Sequence, residues 1–196
     1  RELTNNLGKI AFYKQEFYIS ITNFMNSIKK HRQNWEGYLY ISFAKNKIGD
    51  LEGCLEDLNK SKKIYSDLFT KDFLFALNNL EVEELINVHF NENNYEELER
   101  IFNFLYKQGK DINHLFERAK YEFLNKKFYE AISDFLELEK FEDMKKISIM
   151  YLGRCKMELK DFKNAIVDFK RCLNLEENPA IRKYIETCDR MLNKND

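Results

Sequence analysis

The segment "KDFKNAIVDFKRCL", Lys160–Leu173, has an earlier counterpart in the same chain. Thirty-four residues before it stands "KKFYEAISDFLELE", Lys126–Glu139, and six of the fourteen positions are identical. Self-similarity at a fixed spacing of this size is the signature of architectures that stack one small structural unit many times. The sequence therefore predicts a repeat protein.

The repeat can be followed along the chain in five units. We predict units over residues 1–34, 35–68, 79–111, 112–145 and 146–179. Large apolar residues recur at unit positions 17 and 24, which lie two helical turns apart on one face of a helix. Small residues recur at positions 8, 20 and 27, and we expect the large side chains to pack against them. Each unit then depends on its neighbours for burial.

These units resemble the tetratricopeptide repeat, in which two antiparallel helices occupy about 34 residues. The resemblance rests on Leu-Gly at positions 7 and 8 of the first and last units, and on the recurring residues of the second helix. It implies an all-α, right-handed superhelical solenoid of about five helix-turn-helix repeats. The chain departs from the family pattern at position 11, where an aromatic residue is usual and where Ala11, Lys45, His89, Glu122 and Lys156 stand.

The remaining segments fit a single domain of this kind over residues 1–196. The insertion at 69–78, "FTKDFLFALN", is too apolar for a loose linker, and we expect it to lengthen the neighbouring helices with Thr70 as an N-cap. Asn178 and Pro179 are typical of a helix start, and predict a C-terminal capping helix over 179–193. The chain begins at Arg1, so we expect a fragment or processed form whose parent continues upstream.

The sequence contains no motif for catalysis, metal binding or cofactor binding. His31, His89 and His114 are scattered, and no phosphate-binding glycine loop or nucleophile motif occurs. We therefore expect no enzyme activity, no cofactor, no metal and no small-molecule substrate. Four cysteines without a C-x-x-C pair indicate reduced thiols in an intracellular, cytoplasmic protein. A net charge of -1 disfavours nucleic acid, and the absence of a long apolar run argues against membrane insertion.

The resemblance implies that the first helices of the units line a concave groove. Polar groups mixed with aromatic rings there suit a protein or peptide partner. The candidate partner-binding residues are Asn5, Lys9, Tyr13, Tyr40, Phe43, Glu84, Asn87, Asn91, Phe116, Lys120, Tyr151 and Arg154. The alternative is that these aromatic residues pack against the insertion or another segment.

Two features bear on the kind of partner. Chaperone adaptors of this family bind acidic tails through a clamp of Lys, Asn and Arg, but the matching positions here hold Asn5, Lys9, Tyr40, Leu80 and Glu84. A carboxylate-clamp chaperone tail is therefore disfavoured. Residues 79–111 hold 3 basic and 8 acidic side chains. This acidic segment predicts a basic or mixed-charge partner, and the alternative is a solvated helix face.

These observations predict a non-catalytic protein-interaction scaffold or adaptor that binds a peptide or partner subunit on its concave face. The alternatives are a structural subunit of a larger complex, or a regulatory segment of a longer enzyme or co-chaperone. The scaffold hypothesis predicts that a Tyr40→Ala/Tyr151→Ala double change weakens partner binding and leaves helicity intact.

Overall fold

The computed structural model describes residues 2–69, 77 and 79–193. These residues form eleven α-helices and no strand, which confirms the predicted all-α fold. The helices are α1 Glu2–Tyr13, α2 Phe17–Lys30, α3 Trp35–Lys47, α4 Leu51–Phe69, α5 Asn79–Asn91, α6 Tyr95–Gly109, α7 Ile112–Leu124, α8 Phe128–Leu138, α9 Glu142–Glu158, α10 Phe162–Leu175 and α11 Pro179–Leu192. The insertion at 69–78, with the N-cap expected at Thr70, lies outside the described residues except for Phe69 and Leu77.

The chain divides into two compact units, Arg1–Asn94 and Tyr95–Asp196. The first unit holds α1 to α5, and each helix contacts the next. In addition, α3 contacts both α1 and α5. The second unit holds α6 to α11, and again each helix contacts the next. The repeat expected over 79–111 contributes one helix to each unit, and the repeat boundaries remain a prediction.

Four of the hairpin turns share one backbone geometry. The turns after α1, α3, α7 and α9 are three residues long, and the central residue of each has a positive φ: 62° at Gln15, 83° at Gly49, 62° at Lys126 and 61° at Lys160. In the α7–α8 turn the Lys127 N–H donates to the Glu122 carbonyl at 2.8 Å, and the Lys126 N–H donates to Phe123 at 3.0 Å. This is the Schellman motif, which satisfies the last carbonyls of the first helix.

The core follows the predicted packing of large residues on small ones. Phe24, Phe135 and Phe169, all at unit position 24, are fully buried. A methyl group on Gly8 would approach a Phe24 ring carbon to 2.5 Å, and one on Gly153 would approach Phe169 to 2.6 Å. The two glycines therefore let the hairpin helices approach closely enough to seat these rings.

The last helix begins as the sequence predicts. The Asn178 side chain accepts a hydrogen bond from the Ala180 N–H at 2.9 Å, and Pro179 lies in the first helical turn. Ile181 and Cys188 of α11 are buried in one cluster with Phe162 and Phe169 of α10. The apolar face of α11 thus covers α10.

The four cysteines serve packing. Cys54, Cys155, Cys172 and Cys188 are all buried, and all are free thiols. Burial raises the pKa of Cys54 and of Cys155 to about 12. Cys54 and Cys172 stand at unit positions 20 and 27, where the repeat pattern predicts small residues packed against large ones, and both are fully buried.

Candidate partner-binding surface

Asn5 is 3% exposed and makes its hydrogen bonds inside the fold. Its carboxamide nitrogen donates to Glu36 at 2.8 Å, and its oxygen accepts from Ser27 at 2.8 Å and from the Asn34 side chain at 2.9 Å. Because Asn5 is buried, this network joins α1, α2 and the start of α3. The expectation that Asn5 lines an open groove is thereby corrected.

Tyr40 and Phe43 are likewise core residues rather than surface residues. They are 2% and 1% exposed. The Tyr40 ring stacks on Phe24 with centroids 5.2 Å apart, and its edge meets Phe12 at 5.5 Å. Burial raises the pKa of the Tyr40 hydroxyl far above its ordinary value. Truncating such a buried ring costs about 3–5 kcal/mol, so a change at Tyr40 tests stability before it tests binding.

Tyr13 and Lys9 are the accessible candidates on α1. Tyr13 is 55% exposed, and its hydroxyl lies 3.1 Å from that of Tyr40. The Lys9 ammonium forms an ion pair with Glu36 and lies 5.2 Å from the centroid of the Tyr40 ring. Both side chains therefore lie beside the α3 aromatic residues.

The α5 candidates have different surroundings. Glu84 is half-buried and forms an ion pair with Lys47, whose Nζ lies 3.1 Å from the Glu84 Oε1. Asn87 and Asn91 are exposed, and the Asn91 carboxamide donates to Asn46 of α3 at 3.4 Å. These three residues continue the surface formed by the first helices of the first unit.

A pocket of about 170 Å³ opens among α1, α3 and α5. Its lining consists of Phe12, Tyr13, Tyr40, Phe43, Leu80, Glu81, Glu83 and Glu84. Phe12, Leu80, Glu81 and Glu83 line the pocket but were not among the candidate residues, because unit spacing alone did not bring the α1 and α5 side chains together. The pocket combines an apolar floor with carboxylates.

In the second unit the structure brings four candidate residues together. Phe116 of α7 meets Tyr151 of α9 edge to face, with centroids 6.1 Å apart. The Arg154 guanidinium lies 5.0 Å from the Tyr151 ring centroid, and the Lys120 ammonium lies 5.9 Å from that of Phe116. All four side chains are partly exposed. We call these four residues the α7–α9 cluster.

Partly buried ion pairs inside the hairpins are the main feature that the sequence did not reveal. Lys45 of α3 pairs with Asp57 of α4 at 2.7 Å, and Lys156 of α9 pairs with Asp168 of α10 at 2.5 Å. In the α7–α8 hairpin the partner of Asp134 is Arg118, through two bonds of 2.6 and 2.7 Å. The sequence did contain a signal for these pairs, since an aspartate recurs at one position of the repeated segment, as Asp134 and as Asp168.

Glu122 lies next to the Arg118–Asp134 pair. It is buried, and its Oε1 is 3.7 Å from the Arg118 Nε. Its other oxygen has no hydrogen-bond partner among the described residues. Burial, reinforced by the Asp134 charge, raises the pKa of Glu122 to about 8.

The described residues contain neither a membrane-spanning helix nor a cluster of metal ligands. No helix in this part of the chain combines the length and the apolar character needed to span a bilayer. No three His, Cys, Asp or Glu side chains in the same residues are grouped as a metal ion would require.

The fold has counterparts among solved structures. No family model and no curated protein matches the sequence. The structure of YrrB, described as "a TPR protein with an unusual peptide-binding site", is 8% identical, with a TM-score of 0.64 over 94% of this chain and 90% of that one. MamA AMB-1 is 14% identical, with a TM-score of 0.58 over 90% and 91%. The structure of MamA residues 41 to the end from Desulfovibrio magneticus RS-1 is 12% identical, with a TM-score of 0.54 over 89% of this chain and 94% of that one.

Proposed function

Because the chain has the tetratricopeptide repeat fold, we propose that it is a non-catalytic scaffold that binds a peptide or a partner subunit through its first helices. Repeat proteins present extended binding surfaces of this kind. The observation that carries the proposal is the α7–α9 cluster, in which two partly exposed aromatic rings lie beside two cations. Aromatic and arginine side chains supply most of the energy at protein interfaces.

The other accessible candidate residues extend the proposed surface in the first unit. Lys9, Tyr13, Glu84, Asn87 and Asn91 stay in the proposal, whereas Asn5, Tyr40 and Phe43 support the surface from below. The description of YrrB as a protein with a peptide-binding site supports this use of the fold. A carboxylate-clamp tail remains disfavoured, because Glu84 stands where a cation would be needed.

The proposal predicts that Tyr151→Ala combined with Arg154→Ala weakens partner binding about tenfold, the loss typical of an interface anchor. Partners would first be captured from an extract by placing a photo-crosslinking residue at Lys120 and identified by mass spectrometry. Affinity for the captured partner would then be measured by calorimetry. Because the Tyr151 ring also stacks on buried Phe135, with centroids 4.8 Å apart, thermal unfolding followed by circular dichroism must show that the variant is folded at the temperature of that measurement.

Tyr129→Ala is the matched control for this experiment. Tyr129 is 74% exposed on α8, a second helix, so the same truncation there should leave the affinity unchanged. Equal affinities of the Tyr151→Ala/Arg154→Ala variant and the parent chain for the crosslinked partner would contradict the proposal.

A further inference from the structure

The pocket among α1, α3 and α5 has the size of a single side chain. Its floor is formed by Phe12, Tyr40 and Phe43, which are held in place by mutual ring contacts at 5.5–6.4 Å. Its volume of about 170 Å³ is below the roughly 300–1,000 Å³ of pockets that hold drug-sized ligands. The pocket by itself therefore holds one inserted group, and an adjoining depression of about 410 Å³ shares Phe12, Tyr13 and Glu84 and includes Lys47.

The charge around the pocket is negative. Glu81, Glu83 and Glu84 all lie on the first turns of α5 and line the pocket. Lys47 pairs with one oxygen of Glu84, at 3.1 Å. The second oxygen, Oε2, is buried and has no hydrogen-bond partner within the described residues. Because Oε2 is enclosed, the acceptor that a donor group entering the pocket would meet is the exposed carboxylate of Glu83.

The aromatic lining favours a cation over a neutral donor. Aromatic rings attract ammonium and guanidinium groups through the negative charge of their faces. The chain uses this attraction internally, because Lys9, which does not line the pocket, lies over the Tyr40 ring. The exposed Tyr13 forms the rim and offers one ring to a group that enters from outside.

We propose that this pocket binds the basic side chain of a peptide partner, with arginine preferred. An arginine side chain has an apolar stem for the aromatic floor and a flat guanidinium that can stack on a ring and donate to a carboxylate. This inference rests on the proposed scaffold function, since it assigns one residue of the peptide that the scaffold binds. It also gives a use to the acidic character of α5 that the sequence shows.

The test uses the full 196-residue chain and a defined probe, Nα-acetyl-arginine N-methylamide, titrated into isotope-labelled protein and followed by nuclear magnetic resonance. Nα-acetyl-norleucine N-methylamide, which has a similar stem and no charge, is the matched probe. We expect saturable shifts of the Tyr13 and Glu84 amides, with a dissociation constant on the order of 1 mM for so small a ligand. The norleucine probe should bind at least about tenfold more weakly, because it lacks the charge-assisted hydrogen bond.

Glu83→Gln combined with Glu84→Gln keeps the shape of the pocket and removes two charges. We expect this variant to lose about tenfold in affinity for the arginine probe. Glu52→Gln, an exposed position on α4 outside the pocket lining, is the control and should change nothing. Circular dichroism establishes that the variants are folded.

The outcomes separate this inference from the scaffold proposal. Equal binding of both probes, no shift at Tyr13 and Glu84, or an unchanged affinity of the double Gln variant would each overturn the basic-side-chain assignment. If the crosslinked partner still binds in a manner that depends on Tyr151 and Arg154, the scaffold proposal survives that failure. If the affinity for the crosslinked partner does not depend on Tyr151 and Arg154, the scaffold proposal is contradicted instead.

Discussion

At the scale of single residues, a charged residue stands at unit position 11 in three of the five units, where an aromatic residue is usual: Lys45, Glu122 and Lys156. Lys45 and Lys156 stand at this position and reach a buried aspartate twelve residues later on the second helix. The lysines are 23% and 26% exposed whereas the aspartates are buried, so removing a lysine leaves a buried carboxylate without its partner and lowers stability. These pairs therefore fix how the two helices of a hairpin align, a role that ring packing would otherwise have.

Glu122 occupies the same position in the α7–α8 hairpin and predicts a pH dependence of stability. Its pKa is raised from 4.5 to about 8 in the folded chain, so the folded state holds a proton that the unfolded state releases earlier. The free energy of unfolding should therefore fall as pH rises from about 4.5 to about 8. Glu122→Gln cannot ionise and should be the more stable protein at pH 8.5, by roughly 1 kcal/mol or more, with the difference vanishing near pH 4.

Urea unfolding at pH 4, 6 and 8.5 measures this effect. Glu130→Gln is the control, because Glu130 is exposed on α8 and the same change should shift stability little at any pH. A Glu122→Gln variant whose stability runs parallel to that of the parent chain across this range would show that Glu122 is ionised in the folded state.

At the scale of helices, the hairpin turns contain positions at which a substitution by glycine should stabilise the fold. A positive φ is the normal conformation for glycine, but Gln15, Lys126 and Lys160 adopt it with side chains that disfavour it. Only the α3–α4 turn has a glycine, Gly49, at this central position among the four turns described above. A left-handed residue other than glycine costs about 1–2 kcal/mol.

We predict that Lys126→Gly raises the free energy of unfolding by roughly 1 kcal/mol, since glycine adopts this conformation without strain. Lys170→Gly provides the matched control. Lys170 is exposed inside α10, where the same change should lower stability by about 1 kcal/mol. Thermal unfolding followed by circular dichroism measures both, and two shifts of the same sign would contradict the assignment of strain to the turn.

At the scale of the whole molecule, equivalent unit positions have different surroundings in α1 and α3. Leu3, Leu7 and Ile10 form an exposed apolar stripe on α1, at 75%, 47% and 52% exposure. The equivalents of Leu7 and Ile10 on α3 are Ile41 and Ala44, and both are buried. The difference arises because α2 packs against α3, whereas no described helix precedes α1.

This contrast predicts opposite outcomes for one substitution. Leu7→Lys should change the free energy of unfolding by no more than about 0.5 kcal/mol, as surface changes usually do. Ile41→Lys buries an unpaired charge and should cost about 3 kcal/mol or more. Chemical unfolding of the two variants measures both values; a large loss for Leu7→Lys would mean that the α1 stripe is packed in solution.

The sequence predicted the features that depend on local spacing. The positions of Phe24 and Phe169, their glycine counterparts and the start of α11 all follow from helical periodicity and capping preferences. The exposure of Tyr40 could not be predicted in the same way, because its burial is set by Phe12 and Tyr13 from another helix. The Lys–Asp pairs were missed for a related reason: their partners are separated by a turn whose geometry must be known first.

The buried thiols have a practical consequence. Because all four cysteines are enclosed and their pKa values are raised, thiolate concentrations at neutral pH are very low. A single cysteine introduced on the exterior, for example at Tyr129, should react with a maleimide dye well before any native thiol does. One fluorophore can therefore be attached at a chosen site without first replacing the four native cysteines.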